Sequence, residues 1–175
     1  MKRLFVAIQF EHETKLYLSS IQTKLVELSE KGKYYPLENF HLTLEFIGLV
    51  PEKLISPLWM AIEDAISESV HFEITLTHLG VFNKKNKLIP WVGIDVCQSL
   101  IELQKKIMIA VSSVIEHPSD HGYVPHITLG RQVVISSMPE LSLSKKIVVK
   151  EIVLMESSSR TGTLLYTPIR RRQLL

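Results

Sequence analysis

Two short segments pair a histidine with a threonine two residues further on. They are His41-Leu42-Thr43-Leu44 and His126-Ile127-Thr128-Leu129, and they start 85 residues apart, about half the chain. In an extended strand, residues i and i+2 share a face. Each copy therefore turns an imidazole and a hydroxyl to one side and two aliphatic side chains to the other. Imidazoles with a pKa near ~6.5 can serve at neutral pH as one base and one acid. Hydrolysis of a cyclic phosphodiester needs that pair. One group takes a proton from the attacking water, and the other gives a proton to the departing ribose oxygen on the opposite side. The hydroxyls of Thr43 and Thr128 offer phosphate oxygens donors that carry no negative charge. Arg131 follows the second copy. Counted by twos from Thr128 it falls on the opposite face, but Gly130 makes a bulge easy there. A guanidinium so re-aimed would neutralise charge in the transition state. One His-x-Thr on a strand is an ordinary packing pair. Two copies, each backed by aliphatic residues, are harder to ascribe to packing.

The elements that must hold these residues read as a mixed α+β chain with three helices and about seven strands. Strands are expected at 3–10, 41–47, 72–77, 91–96, 126–131, 147–156 and 163–170. Helices are expected at about 14–30, 52–68 and 98–116. Leu18, Ile21, Leu25 and Leu28 form the apolar stripe of the first helix, and Gly32 ends it. Leu54, Leu58, Ala61, Ile62 and Ala65 form the buried face of the second. Leu100, Leu103, Ile107, Ala110, Val111 and Val114 do the same for the third. Phe72, Ile74 and Leu76 point one way along their strand, and Val92, Ile94 and Val96 point inward from the next. A polar loop from Asn83 to Lys87 joins these two strands as a hairpin. His117 to Pro125 is a loop, and Thr161-Gly162 marks the final turn. No low-complexity linker divides the chain, so 175 residues are expected to form one domain.

Composition narrows the function classes. The chain is 46% hydrophobic with a net charge of +2, as in an ordinary folded protein. Two basic runs, Lys84-Lys85 with Lys87 and Arg170 to Arg172, are either solvated segments or phosphate-facing patches. The single cysteine, Cys97, rules out an intramolecular disulfide and fits a reducing compartment. The apolar run Leu4 to Ile8 is too short for a signal peptide, and no stretch is long enough to span a membrane. The cytoplasm is the expected location, without membrane attachment. His117 and His121 near Asp120 sit in a loop without a second ligand pair, so no metal and no cofactor are expected. His12, His71 and His78 are expected at the surface or at strand edges. Ser157 to Ser159 lack the frame of a serine nucleophile.

Beyond the paired His-x-Thr segments, several stretches are recognisable together: RLFVAIQF from Arg3, NFHLTLEFIG from Asn39, WVGI from Trp91, PHITLGR from Pro125 and ESSSRTGTLLYTPI from Glu156. In these the chain resembles the two-histidine phosphoesterase superfamily. It is most similar to the bacterial and archaeal RNA 2′,3′-cyclic phosphodiesterases once called 2′-5′ RNA ligases. The resemblance covers nearly the whole chain. It implies two pseudo-symmetric lobes, each an antiparallel sheet with helices outside, and an active-site groove between them. It implies that His41 and His126 are catalytic and that Thr43, Thr128 and Arg131 hold the phosphate. Phe46 would lie beside the nucleobase. It further implies that His126 activates water and His41 protonates the ribose 3′ oxygen, leaving a 2′-phosphomonoester. Tyr166 stands where the family has a tyrosine, as core, groove wall or substrate contact. The implied partners are RNA ends or cyclic nucleotides bearing a 2′,3′-cyclic phosphate, handled by a monomer. Two other functions fit the same residues: joining RNA ends through a 2′-5′ linkage, or binding nucleotides without turnover.

Overall fold

The apolar run near the N-terminus becomes the central strand of a sheet in the computed structural model, which describes residues 1–84, 87–95, 97–116, 122–160 and 163–175. Strand β1 (Lys2–Gln9) is buried on both faces from Leu4 to Ile8. It lies between β3 (His41–Val50) and β9 (Glu151–Arg160), and β10 (Thr163–Gln173) completes a four-stranded antiparallel sheet. Alternation along β1 sorts its side chains. Leu4, Val6 and Ile8 enter the main core. Phe5 and Ala7 form a small second cluster with Val153 and Met155 on the opposite face, capped by Tyr166.

The second sheet is antiparallel and runs β2 (Ser29–Tyr34), β7 (Gly130–Ile135), β5 (Lys87–Ile94), β4 (Phe72–Lys84) and β8 (Lys145–Val149). The short strand β6 (His126–Thr128) pairs with β5. Helices α1 (His12–Leu28), α2 (Glu52–Ala65) and α3 (Gln98–Val114) complete the α+β fold. One apolar cluster joins the two sheets. It runs from Leu42 and Leu44 on β3 through Leu18, Leu58 and Ile107 on the helices to Ile74, Val92, Ile127 and Leu129. Each such side chain contributes roughly 1.5–3 kcal/mol by its burial.

Several expected boundaries move. Helix α1 ends at Leu28, which is 54% exposed, and Ser29 is already extended. Gly32 does not stop the helix. It lies within β2, where a Cβ would stand 2.9 Å from Val133 Cγ2, so a close approach of β2 to β7 requires it. Helix α2 is rotated relative to the expected stripe: Ile55, Leu58, Trp59 and Ile62 are buried, with Leu54, Ala61 and Ala65 at the rim. The hairpin is much longer than expected, because β4 continues to Lys84 and β5 starts at Lys87. The expected strand 126–131 is two strands, and 147–156 divides into β8 and β9, which belong to different sheets. Val96, the His117–Asp120–His121 group and the Thr161-Gly162 turn lie outside the described residues. His12, His71 and His78 are exposed, as expected.

Candidate functional site

Strands β3 and β6 approach each other from the two sheets and bring the His-x-Thr pairs together. Leu42, Leu44, Ile127 and Leu129 are at most 2% exposed and anchor both strands in the core. His41, Thr43, His126 and Thr128 face the other way and line a single cavity of about 470 Å³. Phe46 and Arg131 line the same cavity, so all six residues singled out from the sequence meet in one groove.

Two irregularities bring the last two there. The β1–β3 register skips twice, once at Leu44 and once at Ile47. The first bulge shifts the alternation by one residue, so Phe46 follows Thr43 onto the groove side while Ile47 turns into the core. Phe46 is 52% exposed, with the Arg3 guanidinium 5.9 Å from its ring centre. On the other lobe the ladder breaks after Thr128. The Leu129 amide donates to Pro90, while the Leu129 carbonyl accepts from the Tyr35 amide and, at 2.8 Å, from the Gln22 side chain. Gln22 also donates to the Tyr35 carbonyl at 2.8 Å. Helix α1 thus pins the junction from which Arg131 emerges into the groove, 5.6 Å from the Tyr35 ring. Gln132 follows with φ 56, in the left-handed region, so backbone strain is stored beside the guanidinium.

The imidazoles are held alike. Nδ1 of His41 lies 2.7 Å from the Asn39 carbonyl oxygen, and Nδ1 of His126 lies 2.7 Å from that of Val124. A carbonyl only accepts, so both Nδ1 atoms carry the proton and both Nε2 atoms are left for chemistry. Nε2 of His41 stands 3.1 Å from Thr43 Oγ1. Each ring also sits between two aromatics. Phe5 and Tyr166 flank His41 with ring centres 4.9 and 5.0 Å away. Phe82 and Trp91 flank His126 at 4.9 and 6.0 Å. Burial pushes His41 down to about 4, with smaller lowering contributions from His126, Lys15 and Arg131 and an opposing one from the Asn39 carbonyl. Burial and, less strongly, Arg131 lower His126 against the pull of the Val124 carbonyl. Both rings are neutral at pH 7 in the free protein. Burial and the neighbouring Tyr35 push the Tyr166 phenol up, so it stays protonated. Tyr123 donates its hydroxyl to the Thr43 carbonyl at 3.1 Å and so ties the segment before β6 to β3.

The flanking aromatics Phe5, Phe82 and Trp91 are not singled out as site residues by the sequence, nor are Arg3 and Tyr35. Ser157 to Ser159 on β9 do line the groove, although no nucleophile frame surrounds them. Among the described residues no group of three or more His, Cys, Asp or Glu side chains converges as a metal site.

Two antiparallel sheets that each present a histidine–threonine pair to one groove make the fold that of a two-histidine phosphoesterase. Residues 13–156 match the family described as the 2′-5′ RNA ligase superfamily, and the chain belongs to it. It is 28% identical over 130 residues to the RNA 2′,3′-cyclic phosphodiesterase of Methanothermobacter thermautotrophicus, covering 74% of this chain and 70% of the relative. It is 30% identical over 136 residues to the protein of that name from Thermotoga maritima, covering 74% and 69%. Among solved structures it is similar to E. coli LigT in its apo form. The TM-score is 0.84 at 26% identity, over 99% of this chain and 97% of LigT. It also shares the fold of TT0787 from Thermus thermophilus, with a TM-score of 0.88 at 22% identity over 98% and 97%.

Proposed function

We propose that this chain is an RNA 2′,3′-cyclic phosphodiesterase that opens the cyclic phosphate to a 2′-phosphomonoester. The observation that carries this is the matched pair of imidazoles, each with Nδ1 tied to a carbonyl and Nε2 left for chemistry in one groove. The names of the relatives in M. thermautotrophicus and T. maritima support cyclic phosphodiesterase activity, and LigT, whose fold this chain shares, binds phosphate and a nucleoside monophosphate, 3′-AMP.

His126 Nε2 takes a proton from water as the water oxygen bonds to phosphorus. His41 gives its Nε2 proton to O3′ as the P–O3′ bond breaks. Thr43, Thr128 and Arg131 hold the phosphate oxygens, and the Arg131 guanidinium offsets the growing negative charge. His41 is neutral in the free protein, so it gains its proton once an anionic phosphate sits beside it and offsets the effect of burial. After turnover the two rings exchange protons with solvent to restore the starting state. Phe46 lies beside the nucleobase. One bilobal domain, 1–175, acts as a monomer in the cytoplasm. The single cysteine fits that compartment, and no helix among the described residues is long and apolar enough to cross a membrane.

The test is to incubate an oligoribonucleotide ending in a 2′,3′-cyclic phosphate with the protein and identify the new end. A 2′-phosphate is expected. An unchanged end, or a joined product formed faster than the hydrolysed one when a 5′-hydroxyl RNA is supplied, would overturn this reading.

A further inference from the structure

A second cavity of about 620 Å³ adjoins the groove and shares Tyr35, Arg131 and Leu164 with it. Lys33, Lys84 and Lys87 join Arg131 on its walls, between Tyr34, Tyr35 and Ile89. No acidic side chain lines it among the described residues. Lys33 and Arg131 are direct cross-strand partners on β2 and β7, and Lys84 and Lys87 are direct partners at the end of the β4–β5 hairpin. Like charges placed directly opposite each other are unfavourable in an antiparallel pair. Two such pairs border one cavity, and none of the four cations has a carboxylate at ion-pair distance among the described residues. The other basic run differs. Arg171 bonds Glu151 at 2.5 Å and lines a surface where acids and bases alternate.

We infer that this cavity is a second subsite, which takes the phosphodiester backbone of an RNA strand continuing away from its cyclic end. The four cations, none of them in an ion pair among the described residues, bind successive phosphates with release of counterions. The aromatic wall formed by Tyr34 and Tyr35 gives unstacked bases a surface. Arg131 belongs to both cavities and so joins the terminal phosphate to the next along the chain. The true substrate is then an RNA end, and a mononucleotide uses only half of the binding surface. The direction of the strand rests on the function proposed above; the charge of the cavity does not.

The test compares the wild type with the triple variant Lys33→Gln, Lys84→Gln, Lys87→Gln, in which all three altered side chains are exposed. The binding probe is a fluorescein-labelled oligoribonucleotide ending in a 2′-phosphate, titrated at several salt concentrations. The turnover probe is 2′,3′-cyclic AMP. The variant should bind the oligonucleotide at least about tenfold more weakly at low salt, and its salt slope should fall by about 2. Its turnover of cyclic AMP should stay within about twofold of wild type, and a triple Lys→Arg variant should restore binding. Unchanged affinity and slope would overturn the inference, as would an equal loss on both probes. Lysine-dependent binding of ATP as tight as that of the oligonucleotide would assign the cavity to nucleoside polyphosphates and also overturn it. If the wild type turned over no cyclic phosphate yet bound RNA through these lysines, the proposed activity would fall and the backbone subsite would stand.

Discussion

His41 Nδ1 and the Asn39 carbonyl oxygen are 2.7 Å apart, and the same bond at the same length recurs between His126 and Val124. In both copies the partner is two residues earlier in the chain. A backbone carbonyl cannot be titrated away or change rotamer, so it would hold the tautomer fixed through the proposed cycle, in which each Nε2 gains and loses a proton.

The first prediction concerns those two nitrogens. His41→Ala and His126→Ala should each lower turnover of a 2′,3′-cyclic phosphate by roughly 10²–10⁴-fold, the usual contribution of one general acid or base. Both variants should keep the wild-type circular dichroism spectrum. A folded variant that retained more than about a tenth of the rate would remove that histidine from the proton-transfer circuit.

The second prediction is a pH dependence. Burial lowers both imidazoles, His41 to about 4. The proposed reaction needs one proton in total on the two rings, whether it is taken up before or with the phosphate, and the free protein carries one proton mainly between two depressed pKa values. kcat/KM should therefore peak below pH ~6.5 and fall as pH rises. The profile of kcat should extend to higher pH, because a bound anionic phosphate raises the acid's pKa. Stability should move the opposite way. His41 is held neutral in the folded chain, whereas its unfolded pKa is near ~6.5, so its contribution is fully present above about pH 6.5. It declines as pH falls toward about 4, by up to about 3 kcal/mol. Urea melts of His41→Ala should lose less stability than wild type over that interval. A kcat/KM plateau reaching above about pH 7 would contradict the buried-imidazole reading.

Gly80 supplies a third, steric prediction. It pairs with Trp91 across the hairpin, and a Cβ there would lie 2.2 Å from the Trp91 ring. The ring has no flexible end to withdraw, and with Phe82 it flanks His126. Gly80→Ala should cost about 1–3 kcal/mol in a urea melt. It should also slow turnover by disturbing the His126 ring. Wild-type stability together with wild-type kcat would mean that Trp91 has room the structure does not give it.

What can be read from the sequence follows the physics that leaves a trace in residue order. The His-x-Thr pairs are legible because period-2 alternation ties the imidazole and hydroxyl to one face and the aliphatics to the other. Strand β2 is not, because Ser29-Glu30-Lys31-Gly32-Lys33-Tyr34 has no apolar alternation and is extended through its pairing with β7. Gly32 misleads for the same reason. A glycine that admits a neighbouring strand looks, in a sequence, like one that ends a helix. Phe46 and Arg131 reach the groove through a bulge and a ladder break, which displace side chains by one register step and are set by tertiary packing. Phe5, Phe82 and Trp91 are visible as apolar residues but not as neighbours of a histidine, since that depends on which strands pair. The two basic runs look equivalent in sequence, and only the register separates them, placing Lys84 opposite Lys87 and Arg171 beside Glu151.

A fourth prediction follows from the donors in the groove. Hydroxyls, the guanidinium groups of Arg3 and Arg131 and two imidazoles line it, with no carboxylate among its described walls. Charge compensation should come from Thr43, Thr128 and Arg131, so activity should survive dialysis against EDTA. Loss of turnover that one divalent metal restored would show that the site recruits an ion.

The fifth prediction fixes the polarity of the groove. Its two sides are not equivalent. Arg131 stands on β7, immediately after the strand that carries His126, with its guanidinium facing the Tyr35 ring. His41 lies on β3, the strand that carries Phe46 into the groove. Arg3 lies against Phe46 on the other side; if Arg131 is the guanidinium that holds the reacting phosphate, the part where water adds and charge accumulates should settle on the Arg131 side. The leaving ribose oxygen, with its base against Phe46, should settle on the His41 side. Burial depresses His41 to about 4, so a proton it takes from solvent beside the bound anionic phosphate is readily given up. A strong acid is what a departing alkoxide needs. With 2′,3′-cyclic AMP as substrate and the isomers resolved by phosphorus NMR, 2′-AMP should be the dominant product. Phe46→Ala, which loosens the base but leaves both imidazoles in place, should raise KM and erode that regioselectivity while changing kcat less. Dominant 3′-AMP from the wild type would exchange the roles of the two ribose oxygens. An even mixture would mean that Phe46 and Arg131 do not orient the nucleotide, and that the acid and base assignments to His41 and His126 have no structural basis.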